Sequence, residues 1–279
     1  MIVDCHTHIW LPEHLGPPFV DEVRGPGGRP PDLTADPVAH RAGTAEADAV
    51  CVFAFEAPRV GVSVPNELVA EYVRTDPERL IGYASLDPTE PGAVAVLDRA
   101  YLLGLRGLKL PATYQGWHPL DERAFPVYER AQELGMPVTF HLGTTPHPSA
   151  PLEYARPIHV DELARTFPRL RVVIAHVAHP WEAEALVVCR KHPHVYADVS
   201  GLHYRPFQLY HTLRLAVEYA VDGKLLFGSD FPWLTTAQAA AGLRHVAAEA
   251  RGERWPVPEE VVEGIVNRDS LSLLGLATP

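Results

Sequence analysis

A chain of 279 residues, 47% hydrophobic and 21% charged, has the apolar mass for one large domain or two small ones and is too apolar for disorder. Thirty-five acidic against 24 basic side chains give a net charge of −11, which disfavours a nucleic-acid or anionic-membrane surface but not a small anionic substrate held by local arginines. No window approaches the roughly 18 to 20 apolar residues of a membrane span, and the first apolar stretch carries Asp4, His6 and His8, unlike a signal peptide. Cys5, Cys51 and Cys189, with no CxxC pair, fit a reduced, cytoplasmic protein. Histidine is abundant, with 15 in the chain.

Strand-like apolar runs recur at 2–9, 49–55, 80–87, 107–111, 137–143, 171–178, 195–201 and 225–232. Several, such as VCVFAF and VVIAHVA, are nearly continuous, the pattern of parallel strands buried on both faces. Helical stripes lie between them. Ala93, Leu97, Ala100, Tyr101 and Gly104 form one. Ala124, Tyr128, Ala131 and Leu134 form another, with Pro126 near its start and Gly135 as the stop. Val160, Leu163, Ala164 and Phe167 form a third, ended by Pro168, and residues 258–274 read as a terminal helix.

Eight runs, each followed by a helix or room for one, point to a single-domain α/β protein, a (β/α)8 TIM barrel over 1–279, a fold of roughly 250 residues. An open doubly wound sheet is the alternative, but neither GxGxxG nor GxxxxGK[ST] is present. The proline- and glycine-rich segment 11–33 reads as irregular, a long lid loop leaving the first strand, with a plain surface loop as the rival reading.

In Ile2-Val3-Asp4-Cys5-His6-Thr7-His8 the strand period of two places Asp4, His6 and His8 on one face, with the two imidazoles about 7 Å apart. Such a pair can converge on one metal ion. His141, His176 and Asp230 each close a later apolar run, at the end of a barrel strand where catalysts sit. Satisfied core histidines would explain one or two of these, but not four strands ending alike. Neutral imidazoles with one carboxylate suit a zinc-like divalent ion, on which water reaches a pKa of roughly 7. Asp230 can then serve as both ligand and base.

DCHTH, the His of FHLG, IAHVAHPW and FGSDFPW, with GLRGLKL, ARPIHVDELARTFP and HPHVYADVSG, resemble the amidohydrolase superfamily across nearly the whole chain. The match is to its branch of metal-dependent hydrolases and nonoxidative decarboxylases that includes aminocarboxymuconate-semialdehyde decarboxylase. The resemblance implies a metal, usually a single zinc ion, held by His6, His8, His141 and Asp230. His176 would orient or polarise water or substrate, or bind a second metal. Lys109, at the end of the fourth run, is either a structural or substrate-facing ammonium or, carboxylated, a bridge in a dinuclear site. Where relatives carry a glycine turn after the sixth strand this chain has Val177-Ala178-His179, so His179 is a candidate substrate contact or proton-transfer group, or a surface residue.

Trp10, Tyr114, Trp117, Trp181, Phe231 and Trp233 follow strands and are candidate walls of a pocket for a small aromatic ligand, as are Tyr204 and His203. Arg24, Arg29, Arg156 and Arg205 are candidates for gripping a carboxylate. The remaining histidines, among them His40 and His147, are assigned no role. The partner expected is a small-molecule substrate, with no nucleic acid and no membrane. The resemblance also suggests a homodimer, to which Trp255-Pro256-Val257-Pro258 could contribute. The leading reading is a hydrolase of an amide, lactone or related bond. A nonoxidative decarboxylase of a ring or enoic acid comes second, and a non-catalytic binding barrel third.

Overall fold

The computed structural model describes residues 1–24 and 28–276, so residues 25–27 of the expected lid segment lie outside the described residues. The strands are β1 (Val3–His8), β2 (Ala49–Phe53), β3 (Phe55–Ala57), β4 (Val62–Val64), β5 (Leu80–Ser85), β6 (Gly107–Leu110), β7 (Val138–Phe140), β8 (Val172–Ile174), β9 (Val195–Asp198) and β10 (Leu225–Leu226). Eight of them form a parallel sheet in the order β1-β2-β5-β6-β7-β8-β9-β10, one from each of the eight apolar runs. The two sheet edges meet. Cys5 N–H donates to Phe227 O, Asp230 N–H to His6 O and His8 N–H to Phe231 O, each at 2.9 Å, closing a TIM barrel.

The helices are α1 (Pro17–Glu22), α2 (Pro37–Gly43), α3 (Asn66–Val73), α4 (Ala93–Leu102), α5 (Ala112–Gln115), α6 (Phe125–Leu134), α7 (His159–Thr166), α8 (Glu182–Lys191), α9 (Pro206–Glu218), α10 (Thr236–Glu249), α11 (Glu259–Val266) and α12 (Ser270–Leu274). Strand alternation divides the core. Val50, Val52, Leu108, Leu110, Val138, Phe140, Val172 and Ile174 pack with the helix stripes, including Leu97, Tyr128 and Leu163. Cys51, Phe53 and Tyr83 form a separate inner cluster. All three cysteines are free and buried. No described helix is long and apolar enough to cross a membrane.

Three local expectations are corrected. The segment after β1 is not wholly irregular: Pro12–His14 make a 3-10 turn, and α1 begins on Pro17 and Pro18, since proline has no N–H to waste at the first helical positions. Leu15 bridges to Val62 of the β3–β4 hairpin, itself unanticipated, and Phe19 is buried. The terminal helix is two helices, because Asp269 breaks the run and caps α12 by accepting the Ser272 N–H at 3.1 Å. Finally, the register of β1 against β2 shifts between Asp4 and Thr7. This irregularity breaks the period of two. Asp4 accepts Thr236 Oγ1–H of α10 at 2.6 Å, the Ser229 N–H at 2.9 Å and the His6 backbone N–H at 3.4 Å, so its carboxylate faces α10 and does not join the imidazoles.

Candidate metal centre and its cavity

The carboxyl end of β1 delivers His6 and His8, and the turn after β10 delivers Asp230. His6 Nε2 lies 3.4 Å and His8 Nε2 3.6 Å from Asp230 Oδ1, and the three donors lie within 4.8 Å of one another, all in buried residues. Asp230 reaches this place with φ +59°, a left-handed conformation that costs a non-glycine residue about 1–3 kcal/mol. The seam hydrogen bond to His6 O and the Trp233 N–H donated to Asp230 O at 2.9 Å hold it there.

Asp198, at the end of β9, sets the orientation of two rings. Its Oδ2 accepts His6 Nδ1–H at 2.9 Å, and its Oδ1 accepts the backbone N–H of His176 and of Ser200, each at 3.1 Å, together with the Ser200 hydroxyl. Because Ser200 Oγ donates to Asp198, it accepts from His176 Nδ1–H at 2.9 Å. Both imidazoles are therefore Nδ1–H tautomers, and the second nitrogen, Nε2, carries a lone pair. A carboxylate behind a histidine in this way raises its basicity as a ligand. His6, His176 and Asp198 form a second close group, but its short contacts are hydrogen bonds that already occupy Nδ1 of His6.

Burial, then the Lys109 ammonium, holds His6, His8 and His141 well below the ordinary histidine pKa, and burial does the same for His176. Lys109 is fully buried and places Nζ 3.1 Å from His6 Nε2. Desolvation lowers it to about 8, against the opposing pull of Asp198 and Asp230. Neutral imidazoles and one carboxylate converging on a point fit a divalent ion with positions left open for water or substrate. His8 Nδ1 is buried without a hydrogen-bond partner among the described residues.

His141 joins neither group of donors. Its ring stacks on Tyr114 at 4.5 Å and meets His176 edge-on at 5.1 Å, while Nε2 donates to Thr144 O at 3.3 Å. The turn carrying His176 is strained: His176, Val177 and Ala178 have φ of +56°, +46° and +49° in succession, where a glycine would sit without cost.

A cavity opens above the donors. His8, Trp10, Tyr114, His141, His176, His179, Asp230 and Trp233 line it, with Tyr204, Arg24 and Arg205. Four expected wall residues do not. Trp117 lies in the helix-layer core and donates Nε1–H to Gln115 Oε1 at 2.8 Å. Trp181, the residue before α8, lies under the Arg156 guanidinium, 5.3 Å from its ring centre. Phe231 packs on His40 at 5.5 Å and covers Gly43, where a Cβ would strike its ring. His203 donates Nε2–H to Gly228 O at 2.9 Å. A place just after a strand fixes height along the barrel, not the direction of the side chain. Arg156 is paired with Glu184 at 2.9 Å, and Arg29 is exposed. Residues assigned no role supply other parts of the wall: Phe19, Phe55 and His147, the last stacked on Phe19 at 5.6 Å.

A closed parallel barrel with a histidine–carboxylate centre at the carboxyl ends of its strands defines a metal-dependent barrel enzyme of the amidohydrolase kind. The sequence matches the amidohydrolase family over residues 3–276, and the chain belongs to that family of metal-dependent enzymes. No curated protein matches it. Among solved structures it is similar to an uncharacterized TIM-barrel protein from Bordetella bronchiseptica, at TM-score 0.72 and 20% identity over 99% of this chain and 98% of that one. A probable 2-pyrone-4,6-dicarboxylic acid hydrolase from Acinetobacter baumannii, with citric acid bound, gives 0.69 and 17% over 98% and 99%. A dihydroxybenzoic acid decarboxylase from a Polaromonas species, with bound manganese and 2-nitroresorcinol, gives 0.65 and 16% over 100% and 98%. At these identities the likeness concerns the fold.

Proposed function

We propose that the protein is a metal-dependent hydrolase opening an amide, lactone or related C–N or C–O bond in a small, planar, carboxylated substrate. The convergence of His6 Nε2, His8 Nε2 and Asp230 Oδ1 at the inner end of an aromatic-walled cavity carries this reading. His6, His8 and Asp230 would hold the ion, zinc in our reading, and His141 on the adjoining wall would complete the set once its Nε2 gives up the hydrogen bond to Thr144 O. A divalent ion supplies Lewis acidity there, polarising a carbonyl oxygen and making water a stronger acid.

Asp230 takes the proton of the attacking water. His176 accepts a hydrogen bond from that water through Nε2 and so aims it. Stabilising negative charge would require a proton that burial keeps off this ring, so orientation is the role the tautomer favours. Trp10, Tyr114 and Trp233 pack against a flat ligand and exclude bulk water, and Arg24 and Arg205 are the cationic groups placed to hold a carboxylate.

The same aromatic walls and arginines favour a second reading, nonoxidative decarboxylation of a ring acid. One panel separates the two. Metal-free and zinc- or manganese-loaded protein would be given 2-pyrone-4,6-dicarboxylate and dihydrocoumarin, scored for ring opening, and 2,6-dihydroxybenzoate and 5-carboxyvanillate, scored for carbon dioxide. We expect metal-dependent ring opening. Carbon dioxide release alone would replace the first reading by the second, and a protein that takes up far less than one equivalent of metal would overturn both.

A further inference from the structure

Hydrolysis also needs a proton for the departing atom, and the inner wall is short of donors. His8, His141 and Asp230 would be taken up by the ion, and His176, whose Nδ1–H is given to Ser200 Oγ, turns a lone pair rather than a proton toward the cavity. Lys109 is fully buried against His6 and is not part of the cavity wall.

His179 differs from the rest. Glu182, the first residue of α8 and only 6% exposed, brings Oε1 to 2.5 Å from His179 Nδ1. Nε2 of His179 has no partner among the described residues, and the ring lines the same cavity as Asp230 and His176. The backbone beneath it is fixed. The His179 carbonyl accepts the Thr144 N–H at 2.6 Å, and Gly143, at φ +98°, lies so close that a Cβ there would strike that carbonyl. Burial pushes the Glu182 carboxyl up, but the hydrogen bond from His179 and the helix backbone outweigh it and leave it below the ordinary glutamate value. An ionised carboxylate on Nδ1 both orients an imidazole and stabilises its protonated form, as in hydrolytic triads.

We propose that His179, positioned by Glu182, protonates the leaving atom, a role outside the ligand set. This rests on the hydrolase reading and completes it. As the acyl C–O or C–N bond breaks, its electron pair stays with the departing oxygen or nitrogen, which takes the proton from His179 Nε2. The water that adds to the acyl carbon gives its proton to Asp230, which releases it to solvent, and the neutral His179 regains one through the cavity mouth. Glu182 acts only through His179.

Two acetate esters test this on the zinc-loaded protein: 4-nitrophenyl acetate, whose leaving group departs unaided, and benzyl acetate, whose leaving group needs a proton. His179→Asn should lower kcat for benzyl acetate about 100-fold, the scale of lost acid catalysis. The rate on 4-nitrophenyl acetate and the zinc content should stay nearly unchanged. Equal losses on both esters, or no loss on either, would overturn the role. A second readout needs no turnover. In 15N-histidine spectra, with the His179 signal identified by its loss in His179→Asn, the neutral ring should carry its proton on Nδ1. Glu182→Gln, which still accepts, should keep that tautomer, and Glu182→Leu should lose it. A ring indifferent to Glu182→Leu refutes the pairing. If the wild type cleaves neither ester while the tautomer result holds, the hydrolase reading fails and the dyad stands.

Discussion

Asp198 governs two imidazoles with one carboxylate, and its value depends on being acceptor-only. Asp198→Asn keeps the shape but turns an amide N–H2 toward one of the groups that now donate to it, His6 Nδ1–H or the Ser200 and His176 donors. Either His6 changes tautomer and surrenders the lone pair on Nε2, or a buried donor is stranded. We expect metal affinity to fall about 10- to 100-fold, as for other carboxylates behind ligating histidines, with the fold retained. Competition against a chromogenic chelator measures it, and an unchanged affinity would remove Asp198 from the centre. The rule that found His141, His176 and Asp230, an ionisable group closing an apolar strand, applies equally to Val195-Tyr196-Ala197-Asp198, so this residue was legible as well. Its partner Ser200 was not, since nothing in a serine two residues on announces a tautomer lock. Trp117, Trp181, His203 and Phe231 mark the rule's limit, because loop residues after a strand have no period to tell which way they point.

Between elements, the contact that best exposes the physics is the one joining β1 and β2 to α2 and α3 through His40. Thr7 Oγ1 donates to Cys51 O at 2.7 Å and so accepts from His40 Nε2–H at 2.9 Å, while the Tyr72 hydroxyl donates to His40 Nδ1 at 2.9 Å. That relay admits only the neutral ring, and burial, with Arg79 and Arg41 nearby, lowers His40 to about 3. Since the folded pKa lies below the unfolded value of about 6.5, the unfolded chain binds the extra proton between them. The stability this group contributes is therefore full above pH 6.5 and is lost as pH falls, by about 1.4 kcal/mol per unit. His40→Gln should be destabilised by about 1–3 kcal/mol at pH 7.5, through the broken relay. Its gap from wild type should narrow by about 2 kcal/mol at pH 5, and urea unfolding at the two pH values would reveal a constant gap if the relay does not matter. The stripes that became α4, α6 and α7 could be read because each repeats over two or more turns. The β3–β4 hairpin, with strands of three residues, and α1, begun by the prolines that seemed to forbid it, fall below that length. The shift in β1 is invisible to any argument that assumes a period of two.

At the scale of the molecule, the centre sits on the barrel's only junction between the two ends of its strand order, β1 and β10. Every other neighbouring pair is joined by a strand ladder, whereas here a few hydrogen bonds and the Thr7–Phe231 bridge close the ring. His6 and His8 stand on one side of this seam and Asp230 on the other, more than two hundred residues along the chain. An ion binding all three would tie the first strand to the last, and it would bind the folded state alone, because the unfolded chain cannot bring the donors together. At a free concentration about 100 times Kd such binding adds about 2.7 kcal/mol, which in a domain of this size raises Tm by roughly 5–10 °C. The stabilisation should be local in origin. Hydrogen exchange at the Cys5, His8 and Asp230 amides should slow on adding zinc to chelator-stripped protein, while amides of the β6–β7 ladder on the far wall follow only the global gain. Asp230→Asn, which keeps the seam amide but weakens the donor, should lose most of the rise in Tm. If zinc instead protects both walls equally and Asp230→Asn responds as the wild type does, the ion is held elsewhere and the seam is closed by its backbone alone.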